Sequence, residues 1–447
     1  MGAIYNSLER QLLDAPKCHP STRKAVIKRI IDWIRGIIDS EALIMWLYGA
    51  AGAGKSAIAH TLAEICETCG WLVASFFFWK TAGERNNVNR FVATVALQVT
   101  QVIPASRELI GAAVGHNSFI FRQSIDVQLA KLIIEPLQKL YSDGLIFDIS
   151  PLVFILDGLD ECQGNSIQSG LIKSLAAAFR DLPLRIRILI ASRPEVCLQS
   201  TFNSTSIQPH VSRLALSDEY SADADIYKYL EDSFDKIRQE HPLASYIPSS
   251  WPSADVLHGL TQKSSGQFIF ASTTVKYIGG DPHQLPHRRL DVISHLQPPE
   301  GEEDLPYADL NSLYNHVLSN VRNFERVKQV LGVLIILKPI FRYQEPDDIL
   351  YPTRIDDILY SVPGIDDFLF WQLGETKACL SQLASVIECC ENGTISILHA
   401  SLSDFLLDPS RSHHFHLCRG SVLGDCAALG LRHLRQQESA SFLLPSK

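Results

Sequence analysis

The sequence has no apolar run near the roughly 20 residues that a membrane-spanning helix requires. The longest, Val330 to Leu337, is interrupted by Gly332 and reads as a core helix. It has no secretory leader pattern: Glu9, Arg10, Asp14 and Lys17 break up any apolar stretch at the start. Asn6 stands where an acylated Gly2 would call for serine or threonine. There is no cysteine framework either. Ten cysteines are scattered, and Cys66-x-x-Cys69 has no second pair, so these two read as small apolar residues on one helix face. His413, His414 and His416 cluster without a cysteine pair at finger spacing. These absences place the chain in reducing cytosol, away from a membrane. Positive charge is short: 40 Lys and Arg against 49 Asp and Glu give a net charge of −9, which argues against nucleic acid as the partner of the whole chain. No repeat of about 20 to 50 residues is present. Both marks of a Ras-like GTPase are missing, since N-K-x-D is absent and Asp157-Gly158-Leu159-Asp160 does not fit D-x-x-G. ATP is favoured over GTP on that ground.

What is present is an ordinary globular composition, 46% hydrophobic and 20% charged. At about 150 residues per domain, the length fits roughly three domains. The chain is organised around Gly49-Ala50-Ala51-Gly52-Ala53-Gly54-Lys55-Ser56, which fits G-x-x-x-x-G-K-[ST]. An apolar strand-like stretch, Ala42 to Tyr48, precedes it, and a helical stretch from Ser56 through Ala57 to Ile65 follows. Glycines let the backbone turn its N–H groups inward around a β-phosphate, at the positive end of the next helix. Lys55 is expected to reach the β- and γ-phosphates, and the Ser56 hydroxyl to hold Mg2+.

A second apolar strand, Pro151 to Leu156, runs into Asp157-Gly158-Leu159-Asp160-Glu161. Asp157 is expected to hold Mg2+ through water, with Asp160 and Glu161 placed to polarise an attacking water. A third, Ile186 to Ala191, ends at Ser192-Arg193-Pro194, where Arg193 is placed to sense or stabilise a γ-phosphate. Trp71 to Trp79 reads as an aromatic-rich strand, and Val211 to Leu216 as a last one. Helices are expected from Thr22 to about Gly36 with Ser21 as cap, at Phe91 to Val102, at Val127 to Tyr141 with a kink or break at Pro136, and at Ile167 to Phe179. Alternating strands and helices predict an α/β fold, a parallel sheet sandwiched by helices. After about residue 210 helices dominate: Asp223 to Arg238, Ser253 to Gln262, Gln267 to Tyr277, Asp309 to Val321 and Phe324 to Leu337. Pro298 to Asp304 reads as a linker. Asn392-Gly393 between two strand-like runs predicts a hairpin, and a hairpin after helices points to a winged-helix domain.

Together these stretches resemble a NACHT-domain protein, of the STAND class of P-loop NTPases. The likeness is to fungal, basidiomycete-type members, which are NLR-like. It rests on Ser21-Thr22-Arg23, Trp46 to Ala59, Phe76-Phe77-Phe78, Leu156 to Glu161, Ala191 to Pro194, Trp251-Pro252-Ser253, Gly266 to Ala271, Leu313-Tyr314 and Leu398 to Leu406, and spans about residues 20 to 418. The resemblance implies an N-terminal helical segment (1–40), a nucleotide-binding domain (41–205), a small helical domain (206–300), a winged-helix domain (301–400) and the start of a second helical domain (401–447). It implies ATP and ADP as ligands with Mg2+, slow hydrolysis, self-oligomerisation on activation, and a role in innate immunity or non-self recognition. Thr22 and Arg23 would line the adenine or ribose pocket, and His399 would reach the β-phosphate of ADP. The chain departs from the pattern at Gly266-Gln267-Phe268, where relatives often carry Gly-x-Pro. It also shows no effector domain and no repeat array, so a separate sensor or effector partner, or a truncated gene product, is expected. Competing readings are a constitutive P-loop ATPase or kinase, a non-enzymatic nucleotide-holding scaffold, and a DNA-binding winged helix.

Overall fold

Strands that are apolar at every position can be satisfied only when both faces are covered, which is the situation inside a parallel sheet. In the computed structural model, β1 (Ile44–Tyr48), β2 (Leu72–Phe77), β3 (Leu152–Asp157) and β4 (Ile186–Ser192) are buried almost throughout. β5 (Val211–Ala215) alternates between buried and half-buried, as an edge strand does. The structure describes residues 3–7, 16–79, 85–216, 222–298, 307–337, 361–389 and 393–441. They divide into two compact units, Met1–Asp225 and Ile226–Lys447.

In the first unit all five strands are parallel, in the order β2-β3-β4-β1-β5. β4 therefore lies between β1 and β3, with Tyr48 level with Ser192, and Asp157 level with Ala191. Successive side chains point to opposite faces, and the core divides accordingly. Met45, Leu47, Phe77, Val153, Ile155 and Leu189 pack with α1 (Lys24–Ile34) and α2 (Lys55–Thr68). Cys66 is buried in that layer, and Cys69 is exposed at the end of α2. Trp46, Phe76, Phe154, Leu156, Ile188 and Ile190 pack with the other layer. That layer comprises α3 (Phe91–Val102), α4 (Ser106–His116), α5 (Ile125–Leu129), α6 (Glu135–Ser142), α7 (Asn165–Phe179) and α8 (Val196–Phe202).

One expectation is corrected here. Ser21 does not cap α1. Ser21 and Arg23 both take left-handed backbone angles, φ 72° and 55°, so the helix begins only at Lys24 with no side-chain cap. The Arg23 N–H is instead given to the Asp225 carboxylate at 2.9 Å. In the helix expected over 127–141 with a kink or break at Pro136, a π turn, Ala130–Ile134, joins α5 to α6 just ahead of that proline. A wider turn there shifts the hydrogen-bond pattern ahead of a residue that has no N–H to donate.

Polar side chains in apolar positions hold the layers together. Gln98 on α3 treats the edge strand β2 as a neighbouring strand would: its amide accepts from Ser75 N at 2.9 Å and donates to Ser75 O at 3.0 Å. Ala3 O accepts from Phe77 N on that edge. Arg187, only 7% exposed, donates to the carbonyls of Trp33 (3.2 Å), Ser40 (2.9 Å) and Ala42 (3.3 Å). It ties the end of α1 and the following loop to β4. Burial pulls its pKa below the ordinary arginine value.

The second unit is mostly helical. α9 (Asp223–Glu240), which starts just before the boundary, leads to α10 (Ala254–Ser264), α11 (Phe268–Gly279), α12 (Pro286–Ser294), α13 (Ala308–Ser319) and α14 (Phe324–Gly332). A π turn, Val333–Leu337, extends α14. Then come α15 (Val362–Phe368), α16 (Glu375–Leu380), an antiparallel pair of β6 (Ile387–Cys389) and β7 (Ile395–Ile397), α17 (Ala400–Leu407), α18 (Pro409–Ser412) and α19 (Arg419–Ser441). The turn residue Asn392 and most of the expected linker at Pro298 to Asp304 lie outside the described residues. No helix among the described residues is long and apolar enough to cross a membrane.

Replacing Arg187 by methionine takes one donor from each of three carbonyls and leaves Ser40 O with none from this side chain, while Ala42 O keeps the Trp33 indole N–H and Trp33 O keeps the Gly36 N–H. The expected loss is about 3 kcal/mol of unfolding free energy, read from urea denaturation, with Arg187→Lys recovering only part of it.

Candidate nucleotide site

The loop between β1 and α2 begins at Gly49 and ends at Gly54. Gly52 and Gly54 have φ of 77° and 90°, angles an L side chain resists. They turn the backbone so that Lys55 and Ser56 open the first turn of α2. Ala51 and Ala53 are buried and Ala50 is exposed, while Lys55, Ser56 and Ala57 are half-buried at the mouth. The Lys55 ammonium donates to the loop's own carbonyls, Gly49 O at 2.9 Å and Ala50 O at 2.8 Å. Burial lowers its pKa most, Asp160 raises it, Arg193 lowers it, and Asp157 and Glu161 raise it. Five sequence-predicted residues from three separate stretches are thus electrostatic neighbours.

Strand order explains how they meet. Asp157 is the last residue of β3 and is buried. Gly158, at φ 72°, donates its N–H to Ala191 O of β4 at 2.9 Å. A Cβ added there would lie 3.2 Å from Phe78 O, a tight contact at a left-handed φ, and both favour glycine. The 3-10 turn Leu159–Glu161 follows. Asp160 takes both polar groups of Arg193: its Oδ1 accepts the backbone N–H at 3.0 Å, and its Oδ2 lies 3.2 Å from Nε. Gln168 of α7 braces this turn, donating to Cys162 O at 2.6 Å and Asp160 O at 3.3 Å. It was not singled out from sequence. The signal was there, since Gln168 heads the otherwise apolar face formed by Leu171, Ile172 and Leu175. Ser192, at the end of β4, accepts the Trp46 indole N–H at 2.8 Å.

The left-handed start of α1 brings Arg23 to the loop, where its guanidinium donates to Ala53 O at 2.8 Å. Burial lowers its pKa, with Asp225 opposing. Thr22 is buried beside it and donates its hydroxyl to His19 O at 2.7 Å. In the second unit, His399 precedes α17 and caps it, Nδ1 accepting the Ser401 N–H at 3.0 Å. The Ser401 hydroxyl lies 2.7 Å from that nitrogen and 2.7 Å from the Tyr314 hydroxyl. Nδ1 is therefore the accepting nitrogen, and the neutral ring carries its proton on Nε2. No group of three or more His, Cys, Asp or Glu among the described residues is arranged to hold a metal ion without further ligands.

A glycine loop leading from β1 into a helix, with the acidic end of β3 across the intervening β4, defines the first unit as a P-loop NTPase. The family model described as Nephrocystin 3, N-terminal, matches residues 22–193. That span runs from Thr22, beside the loop, to Arg193. No curated protein matches the chain. Among solved structures it is similar to the ORC2 protein of Aeropyrum pernix in ADPNP–ADP complexes, with 10% identity, TM-score 0.38, and 95% of this chain and 98% of that one covered. It is also similar to the ORC1 protein of Aeropyrum pernix in complex with DNA, with 12% identity, TM-score 0.39, and 88% and 94% covered. Cdc6p of Pyrobaculum aerophilum gives 14% identity, TM-score 0.36, and 88% and 96% covered. Likenesses this distant carry no argument about function. None of these comparisons points to fungal NACHT proteins in particular, and none supports excluding nucleic acid as a partner.

Gly158→Ala is expected to cost about 1–2 kcal/mol for a side chain in the left-handed region. Because the carbonyl of Phe78 is backbone, the acidic turn must shift. Urea denaturation reads the first effect, and a fall in nucleotide hydrolysis the second.

Proposed function

We propose that the chain is an ATP/ADP-dependent signalling switch of the NACHT type, which binds and slowly hydrolyses ATP to control its own oligomerisation in fungal innate-immunity or non-self-recognition signalling. The observation that carries the nucleotide part is the meeting of Lys55 and Arg193 with Asp157, Asp160 and Glu161 at adjacent strand ends. The residues fit the group: a loop with two left-handed glycines and a cation at a helix N-terminus suits phosphate, and hydroxyl and carboxylate oxygens suit Mg2+. Gly49 to Ala57 would cradle the phosphates, with Lys55 on the β- and γ-oxygens. Ser56 and Asp157 would hold Mg2+, which when bound neutralises charge on the phosphates. The acids after β3 would polarise water, and Arg193 would respond to the γ-phosphate. Thr22 and Arg23, beside the loop, would face the adenine or ribose. His399 would bond the β-phosphate of ADP and lock the closed state. The divisions at 40, 205, 300 and 400, the winged helix, a cytoplasmic location and a separate sensor or effector partner belong to the same reading.

Magnitudes are compatible with switching. Moving a two-state equilibrium from 1:99 to 99:1 takes about 5.5 kcal/mol of differential affinity. Charge-assisted hydrogen bonds at about 1.5–3 kcal/mol each, from Lys55 and Arg193 to a γ-phosphate, cover most of it.

Two experiments test the reading. Lys55→Ala removes the fixed cation of the cradle, and calorimetric titration with ATP and ADP should show binding abolished. Unchanged ATP affinity would move the site elsewhere. His399→Leu should speed ADP release by about tenfold or more, the equivalent of one charge-assisted hydrogen bond, and raise the assembled fraction. An ADP off-rate and a particle mass equal to wild type would leave His399 as a helix cap alone.

A further inference from the structure

The two acids that follow β3 are not equivalent. Asp160 directs one carboxylate oxygen to the backbone N–H of Arg193 and the other to its Nε, at 3.0 and 3.2 Å. Its side chain is only 6% exposed, against 25% for Arg193. A carboxylate so enclosed, with both oxygens on one residue, presents little surface to an attacking water. Its backbone is fixed as well, by Gln168. Arg193 sits just past β4 and is followed by Pro194, which has no N–H to give. The N–H of residue 193 is thus the last donor of that stretch of backbone, and Asp160 receives it. Glu161 is differently placed. Its carboxyl carbon lies 3.7 Å from the point a Cβ on Gly158 would occupy, so it folds back over the turn, half-buried.

We infer that Asp160 is a positioning residue, which fixes the Arg193 guanidinium at the phosphate end of the glycine loop and leaves Glu161 to polarise water. The inference rests on the nucleotide-binding reading given above. The two-point contact sets both the backbone exit of β4 and the direction of the guanidinium. Without it the arginine keeps its charge and loses its aim, and a long side chain that must be re-ordered at each binding event binds more weakly. ATP-over-ADP discrimination therefore depends on Asp160 as it depends on Arg193, while hydrolysis of bound ATP depends on Glu161.

The test compares Asp160→Ala, Asp160→Asn, Arg193→Ala, the Asp160→Ala/Arg193→Ala double variant and Glu161→Gln in the full chain. AMP-PNP and ADP affinities are measured by calorimetry, and unfolding of nucleotide-free protein by urea. Asp160→Ala and Arg193→Ala should each lose about tenfold in AMP-PNP-over-ADP preference, the equivalent of one charge-assisted hydrogen bond. The double variant should lose no more than either alone. Asp160→Asn, which keeps one acceptor for the backbone N–H, should fall between, and Glu161→Gln should keep the wild-type preference. In the nucleotide-free protein the two single variants should be non-additive in urea midpoint. A wild-type preference in Asp160→Ala with hydrolysis as slow as in Glu161→Gln overturns the inference and makes Asp160 an acid on the water. Additive urea midpoints overturn it without reference to nucleotide. If Lys55→Ala binds both nucleotides as wild type does, it is the nucleotide reading that fails, and the urea comparison still decides whether Asp160 holds Arg193.

Discussion

Withdrawing even part of a lysine side chain from water is unfavourable unless carboxylates stand close to it, and the first unit supplies them to the half-buried Lys55. The amine cannot leave the protein, because it belongs to the first turn of α2 and the loop carbonyls hold it. Its countercharges come from β3, which is not adjacent to β1. The strand between them, β4, ends level with both and contributes Arg193. Two cations and three carboxylates are therefore collected at the carboxyl edge of three neighbouring strands, where open parallel sheets place their ligands. Any rearrangement of strand order would separate the lysine from its acids. The register of β3 on β4 is in turn continued by Gly158 N–H on Ala191 O and by Asp160 on Arg193. The contacts that close the sheet at this end are the ones that set the charges.

The same economy appears on the other face. α1 is held at its C-terminal end by Arg187 and reaches the glycine loop at its N-terminal end through Arg23. Both arginines donate to backbone carbonyls, and burial lowers the pKa of both. Arg187 serves to join a helix to a strand. Arg23, whose left-handed backbone requires Asp225 to receive its N–H, joins that helix to the phosphate loop. A shift of α1 would be felt at Ala53 directly, because the connection is a hydrogen bond to the loop itself.

The parts of this arrangement that were legible in the sequence are those with a local signature. Four strands are legible as mostly apolar runs, interrupted by Ser75 and Arg187, and the glycine loop, the acidic turn and Arg193 each follow such a run. The rest depends on what folding brings together. Asp160 and Arg193 are adjacent in sequence-derived function but meet only because β3 and β4 pair, and no spacing rule assigns the one to the other. Gln98, Gln168 and Arg187 look like interruptions of apolar stretches. Their positions become intelligible only once the backbone groups they satisfy are known, since a buried carbonyl or N–H must find a partner. The start of α1 was misplaced for a related reason. Ser21 has the composition of a cap, but the chain reaches Lys24 by two left-handed residues whose strain is offset by tertiary contacts of Arg23.

His399 is a helix cap, and capping also sets the tautomer of its ring. As the cap of α17 it uses Nδ1, which accepts the Ser401 N–H, and the hydroxyl chain from Tyr314 through Ser401 ends on the same nitrogen. Burial pushes the Tyr314 phenol up, and the phenol shares the next hydrogen bond of this chain with the Ser401 hydroxyl. A phosphate contact, in contrast, calls for a donor, and the neutral ring has its proton on Nε2. Capping thus selects the tautomer that a phosphate-binding histidine needs. The H-x-S spacing in the sequence is the local expression of that selection: the serine two residues on supplies the N–H that holds Nδ1 as an acceptor, and the ring is oriented before any ligand is considered.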